Sequence, residues 1–385
     1  MTTMNPKLKR ALQIFTAICV IFTIVVGSFI VTNFRNVMRM VYVGLLVKTQ
    51  ALQPVTTEQL LEGAVRGMVD SLDDPYSAFM DSEEFTEMQN YIHGTIGGIG
   101  IYVGVKDNNL VVQSPIEGSP AALAGIRADD IIIKIDDKST AELKYDDAVN
   151  MMRGEPGTEV KIRIMREGVA ELLDFILVRQ VIDLPTVSSN ILPGEPKIGH
   201  IRLSMFASNS DEALAMELEN LENQGIKGLI LDLRDNPGGD LETAVNIAKF
   251  FVPAGPIIYS VSRSGVTETY EVSGDSAFDL PLVVLINEGS ASASEVLAGA
   301  LKDTKSAILV GEKTFGKGIV QSVLPLPGGD GLKLTTSKYL TPNKIDIHEK
   351  GIEPDVVVVQ EESVYEDFDD DLQLQKAITI IKEQL

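Results

Sequence analysis

The chain has 385 residues, 44% of them hydrophobic, with 55 acidic side chains against 33 basic ones, no Trp and one Cys. That length suits two or three domains, each able to bury a core, and excludes a disordered or collagen-like chain. The net charge of −22 argues against nucleic acid as a partner, since displacing phosphate counterions takes a basic field. The lone Cys19 excludes an intramolecular disulfide, a zinc ribbon and a Cys-Cys redox motif.

Charge divides the chain near Glu58. Lys7, Lys9, Arg10, Arg35, Arg39 and Lys48 precede it with no acid, leaving 27 basic against 55 acidic residues in the remainder. Within this basic stub, Ile14–Val31 is 18 residues without a charge. With Ala11 and Leu12 it approaches the roughly 20 that span a bilayer as a helix. Residues 1–35 therefore read as a cytoplasmic stub and single-pass anchor. A cleaved signal peptide is the rival, although its apolar region usually runs to about 7–15 residues. Thr16, Ala17 and Ile18 do not make Cys19 a lipobox cysteine. Basic residues before the apolar run outnumber Arg35 and Arg39, which puts the N-terminus inside and the body outside the cytoplasm, on the cell membrane.

Residues 36–93 read as a helical cap region. Thr56 or Thr57 caps a helix whose apolar positions are Leu60, Leu61, Ala64, Val65, Met68 and Val69, and a second helix starts at Asp81 or Ser82. From 94 to 180 the period changes to five short strands with turns between them and one helix, Tyr145 to Met152. From 181 to 360, apolar strands alternate with amphipathic helices, the pattern of a largely parallel sheet covered on both faces. Residues 361–385 are an acidic run, Glu361 to Asp371, read as a solvated connector, and a short helix.

Three stretches carry chemistry. In Leu229 to Asp240 a strand ends in Asn236-Pro237-Gly238-Gly239 and enters a helix. Such glycines can leave backbone N–H groups aimed at an oxyanion or phosphate, or can simply make the turn. In Asn287 to Asp303 a buried strand is followed by Ser290, Ala291, Ser292, Ala293 and Ser294 and then a helix, so a serine here is either a nucleophile favoured by the helix dipole or an N-cap. His93, His200 and His348 have no context that suggests a triad. Lysine is the other base available to a serine, provided its pKa is lowered. Lys317, between Gly316 and Gly318, suits that role, and Lys313 in the same loop is the rival.

Taken together, these stretches resemble the carboxyl-terminal processing, or tail-specific, serine peptidases. The string Gly97-Gly98-Ile99-Gly100-Ile101 and the segment Ser114 to Asp136 resemble a PDZ domain. The run from Leu233 to Gly239, the run Gly289 to Glu295, the loop Gly311 to Gln321 and the late Thr341-Pro342-Asn343 and Gly351 to Asp355 segments resemble the family's peptidase motifs. The resemblance covers about Glu58 to Val359. It implies an N-terminal helical segment, a PDZ domain at 94–180 and, at 181–360, an α/β Ser-Lys peptidase core related to the crotonase and Clp protease scaffolds. The family's nucleophile falls on Ser292, its base on Lys317 and the glutamine that orients the base on Gln321. Backbone N–H groups of Gly238 and Ala293 match the oxyanion donors, and Glu295 and Asp303 match supporting acids. Gly98, Ile99, Gly100 and Ile101 match the PDZ carboxylate loop, and Arg153 an arginine linked to PDZ switching. The implied enzyme is a membrane-anchored serine endopeptidase acting near nonpolar C-termini of proteins or peptides, without metal or cofactor, and compatible with a homo-oligomer. A catalytically silent PDZ scaffold and a crotonase-like acyl-transfer enzyme are the alternatives.

Overall fold

The computed structural model describes residues 13–385 except 14, 18, 19, 22, 26, 29, 30, 107, 108, 266, 275–277 and 361–367. The chain forms two compact units, Met1–Phe79 and Met80–Leu385. Among the described residues no helix is long and apolar enough to cross a membrane. Part of the expected anchor, Cys19 included, lies outside the described residues.

In the first unit, helix α1 (Phe34–Gln50) buries no residue. Helix α2 (Thr57–Asp70) begins with a capping box, in which the Gln59 N–H donates to Thr56 Oγ1 at 3.1 Å and the Thr56 N–H to Gln59 Oε1 at 2.9 Å. Two N–H groups that the helix leaves unpaired are thereby satisfied. The Arg66 guanidinium stacks over the Phe79 ring at 5.3 Å.

The second unit opens with α3 (Ser82–His93), capped by Asp81 and closed by left-handed Gly94. Strand β1 (Thr95–Gly98) then begins the expected β-domain, whose six-stranded antiparallel sheet runs β2 (Ile101–Lys106), β3 (Asn109–Pro115), β4 (Ile131–Ile135), β5 (Glu159–Met165) and β6 (Leu173–Val178) in spatial order, with the short strand Lys138–Ser139 paired on β4. Strand β7 (Gln180–Asp183) pairs back onto β1 and closes the domain at its neck. The domain carries a second, short helix, α4 (Pro120–Ala124), besides α5 (Tyr145–Met152). Its core, including Ile99, Val112, Ile132, Ile135, Val160 and Ile162, is separate from the cores of the remainder.

The larger domain is built on a six-stranded sheet in the order β8 (Val187–Ile191), β9 (Ile198–Leu203), β10 (Gly228–Asp232), β13 (Leu282–Ile286), β14 (Ile308–Gly311) and β17 (Val356–Val357). All pairings are parallel except β8 with β9. β10 and β13 are buried throughout. Their side chains alternate between two cores. Leu229, Leu231, Val284 and Ile286 pack with α6 (Ser210–Asn223), α7 (Leu241–Phe251) and α8 (Ala293–Asp303). Ile230, Val283 and Leu285 face the C-terminal helix α9 (Leu372–Gln384) on the other side. A second, antiparallel sheet contains β11 (Gly255–Ser262), β12 (Thr267–Val272), β15 (Ile319–Pro325) and β16 (Gly331–Leu340).

The acidic run is more than a solvated connector. Glu361 to Asp367 lie outside the described residues, but Asp371 caps α9 and is 2% exposed. Arg234, also 2% exposed, donates from Nη1 and Nη2 to Asp371 at 2.9 and 2.8 Å and from Nη2 to Asp232 at 2.7 Å. Burial opposes charge on Asp232, but the His200 ring 3.4 Å away and the bonds from Arg234 outweigh it and hold the carboxyl well below its usual range.

Candidate active site

Ser292, Ala293, Lys317 and Gln321, 24 to 29 residues apart in their two groups, line one cleft of about 440 Å³. Its walls are α3 (Met88, Tyr91, Ile92), the turn before α7 (Pro237, Gly239, Asp240), and β15 and β16 (Ile319, Val323, Lys333, Tyr339). None of the three histidines lines it.

The three serines at the start of α8 have different tasks. Ser290 Oγ donates to the Leu233 carbonyl at 2.8 Å and Ser294 Oγ to the Asn236 carbonyl at 2.8 Å, both serines being fully buried. The Ala291 N–H also donates to the Asn236 carbonyl, at 3.0 Å. These bonds fasten the serine turn to the glycine turn after β10. Ser292 alone of the three faces the cleft. It caps α8 at φ 54°, ψ −111°. Positive φ is costly for a residue with a Cβ and is kept only where surrounding contacts impose it.

Glu295, fully buried, is the most connected of those contacts. Its Oε2 accepts the Ser292 N–H at 2.9 Å and the Lys317 N–H at 2.8 Å. Its Oε1 accepts Thr314 Oγ1 at 2.6 Å and the Gly316 N–H at 2.8 Å. One carboxylate therefore ties the serine turn to the lysine loop. Lys317 is half-buried. Burial lowers its pKa, the nearby Lys333 ammonium adds to the effect, and Glu295 opposes it. An ammonium so placed gives up its proton more readily, as a general base requires. Lys313, by contrast, is exposed and pairs with Glu353 at 3.3 Å.

Gly238 lies against the serine. A Cβ there would stand 2.9 Å from both Ser292 Cβ and the Ala293 nitrogen and 2.7 Å from the Ala291 oxygen. The space beside the first N–H of α8 therefore exists only because residue 238 is glycine. Its own N–H donates to Asn236 Oδ1 at 2.9 Å. Gly239 bridges to Phe206 through the Gly238 carbonyl and the Asp240 N–H, and it lines the cleft. Asp303 is at the far end of α8, where it accepts the Asn343 N–H at 2.9 Å, and it does not line the cleft.

The predicted carboxylate loop lies in the β-domain. Ile99 is buried, Gly100 has φ 75° and packs on Ser119, and Ile101 begins β2, an edge strand. Arg153, exposed after α5, has its Cα 3.5 Å from where a Gly98 Cβ would stand. The Tyr145 hydroxyl donates to the Val103 carbonyl at 3.1 Å, linking α5 to that edge strand. Sequence reading missed Tyr339, Lys333 and the α3 wall, because a residue's type on a strand or helix does not say that it faces a cleft.

Known proteins provide the comparison. Residues 197–358 match peptidase family S41, 111–166 match a PDZ domain and 32–84 match the N-terminal domain of the activating protease CtpB. A carboxyl-terminal-processing protease of Synechocystis is 41% identical over 320 residues, covering 82% of this chain and 75% of its own. One of Picosynechococcus is 38% identical over 335 residues, covering 86% and 81%. A solved structure, of a photosystem II D1 C-terminal processing protease, is 32% identical with a TM-score of 0.53, covering 86% of this chain and 90% of that one.

Proposed function

This chain belongs to the carboxyl-terminal processing serine proteases of peptidase family S41, and on that premise we propose that Ser292 and Lys317 are its nucleophile and base. The observation that carries the assignment is Glu295, which holds the backbone N–H of both residues on one carboxylate oxygen at the edge of a single cleft.

Neutral Lys317 takes the proton from Ser292 Oγ as the oxygen bonds to the scissile carbonyl carbon. The carbonyl electrons move to oxygen, and the oxyanion is met by the Ala293 N–H at the start of α8 and by an N–H of the glycine pair. The Gly238 N–H, beside Ser292 and the Ala293 nitrogen, is the second donor and exchanges its bond to Asn236 Oδ1 for the oxyanion. Collapse of the intermediate breaks the C–N bond, and the lysine's proton goes to the leaving amine. Water, deprotonated by Lys317, then releases the acyl group. Gln321 orients the lysine. Kinship of this core with the crotonase and Clp scaffolds is supported by its parallel sheet and by an oxyanion site at a helix N-terminus.

The PDZ domain selects proteins with free, nonpolar C-termini, supported by the glycine loop beside the edge strand β2. The apolar run in the first 35 residues and the basic residues flanking it support a single-pass anchor with the body outside the cytoplasm. A C-terminal fusion to an enzyme active only outside the cytoplasm tests that topology, and a stable but inactive fusion refutes it.

The dyad is tested with Ser292→Ala and Lys317→Ala. Each abolishes peptide cleavage in folded protein, whereas Gln321→Ala reduces it by less. Near-wild-type turnover in either of the first two overturns the assignment.

A further inference from the structure

Glu295 accounts for the N–H groups of Ser292 and Lys317, and a second side chain meets their carbonyls. Tyr339, on β16 and 2% exposed, places its hydroxyl 2.9 Å from the Ser292 carbonyl oxygen and 2.7 Å from that of Lys317. Its single proton is shared between the two acceptors. Its backbone N–H donates to the Gly318 carbonyl at 3.1 Å, so the ring is anchored beside the lysine it serves. The Ser292 carbonyl also accepts the Glu295 and Val296 N–H groups, at 2.9 and 3.0 Å, and so belongs to the first turn of α8. The hydroxyl therefore joins that turn to the lysine loop from the side opposite in polarity to Glu295.

We propose that Tyr339 is a positioning residue for the peptidase reaction, its hydroxyl setting the separation of Ser292 and Lys317 by bonding the carbonyl oxygens of both. Burial, with Glu295 adding to it, keeps the phenol far above its ordinary pKa, so the group stays a donor. The inference rests on Ser292 and Lys317 being the reacting pair.

The test is Tyr339→Phe in the full chain, which keeps the ring and removes only the oxygen. Two readouts are needed: hydrolysis of a peptide with a free apolar C-terminus, and phosphonylation of Ser292 by a fluorophosphonate probe, both normalised to the folded fraction from melting curves. The expected result is a kcat lower by about 10- to 100-fold, the scale set by an ångström-size misplacement of reacting groups. KM stays within about twofold of wild type and the labelling rate falls in parallel with kcat. Ile381→Val, on the back face of the sheet, serves as the stability control and keeps wild-type kcat.

Wild-type kcat and labelling in Tyr339→Phe overturn the proposal, as does a change confined to KM or a loss that the control reproduces at equal melting temperature. If Ser292→Ala or Lys317→Ala retains turnover, the dyad itself fails. If both are dead and Tyr339→Phe is fully active, only the role of Tyr339 fails.

Discussion

Replacing Glu295 with glutamine tests the site's geometry most directly. The carboxylate receives four donors, two on each oxygen, in a position closed to water. An amide has one oxygen, so in either orientation its NH2 group confronts a pair of donors. With the amide oxygen on Thr314 and Gly316, the N–H groups of Ser292 and Lys317 lose their acceptor. With the amide flipped, only Thr314 Oγ1 can accept from the NH2, and the Gly316 N–H is left facing it. Each buried donor left unsatisfied costs about 1–3 kcal/mol. Two of them in the first orientation cost about 2–6 kcal/mol and one in the flipped orientation about 1–3 kcal/mol, so the destabilisation is at least about 1–3 kcal/mol, read as a lower guanidinium midpoint. The unsatisfied N–H groups are those of Ser292 and Lys317 in the first orientation and that of Gly316, next to Lys317, in the second, so displacement reaches the lysine loop in either case, and kcat drops by about 10- to 100-fold. Glu295→Asp keeps two oxygens but is one methylene shorter, and its kcat is intermediate. A Glu295→Gln protein with wild-type midpoint and kcat refutes the reasoning.

As the proposed base, Lys317 would work in its neutral form, so activity is expected to rise as pH passes upward through its pKa. Burial and Lys333 depress that pKa. Lys333→Gln therefore moves the acid limb of kcat/KM to higher pH, and added salt narrows the difference; an unmoved limb removes Lys333 from the account. Peptides that differ only in a free or amidated C-terminus are cleaved at different rates, the free one faster, and Arg153→Ala narrows the gap. Equal rates in the unaltered protein remove carboxylate sensing by the PDZ domain. Asp371→Ala strips Arg234 of one of its two carboxylate partners in a dry site and lowers stability by about 3–5 kcal/mol in denaturant titration. A change under about 1 kcal/mol would show that water reaches Arg234 and replaces the lost partner.

Whatever depends on neighbours in sequence was legible before the structure. The helix starts near Thr56 and Asp81 and the apolar strands β10 and β13 follow from local chemistry and period, and the motifs around Ser292 and Lys317 stand in short runs. What joins those runs does not. Tyr339 is 47 residues from Ser292 and 22 from Lys317, and it sits in Leu332 to Leu340, where Thr335, Thr336, Ser337 and Lys338 hide the strand period. Arg234 and Asp371 are 137 residues apart, and the second stands in a run of acids that reads as solvated. Ser290 and Ser294 have the look of helix caps, yet their hydroxyls are used on carbonyls 57 and 58 residues away. The physical reason is common to these cases. A side chain's type states which bonds it can make, and only the packing of β10 beside β13, with β15 and β16 across the cleft, determines which partner is within 3 Å. The proposed nucleophile and base can thus be named from motifs alone. Their relative position is a property of Glu295 and Tyr339 acting together, one on the N–H groups and the other on the carbonyls, so loss of either side should loosen the same pair of residues.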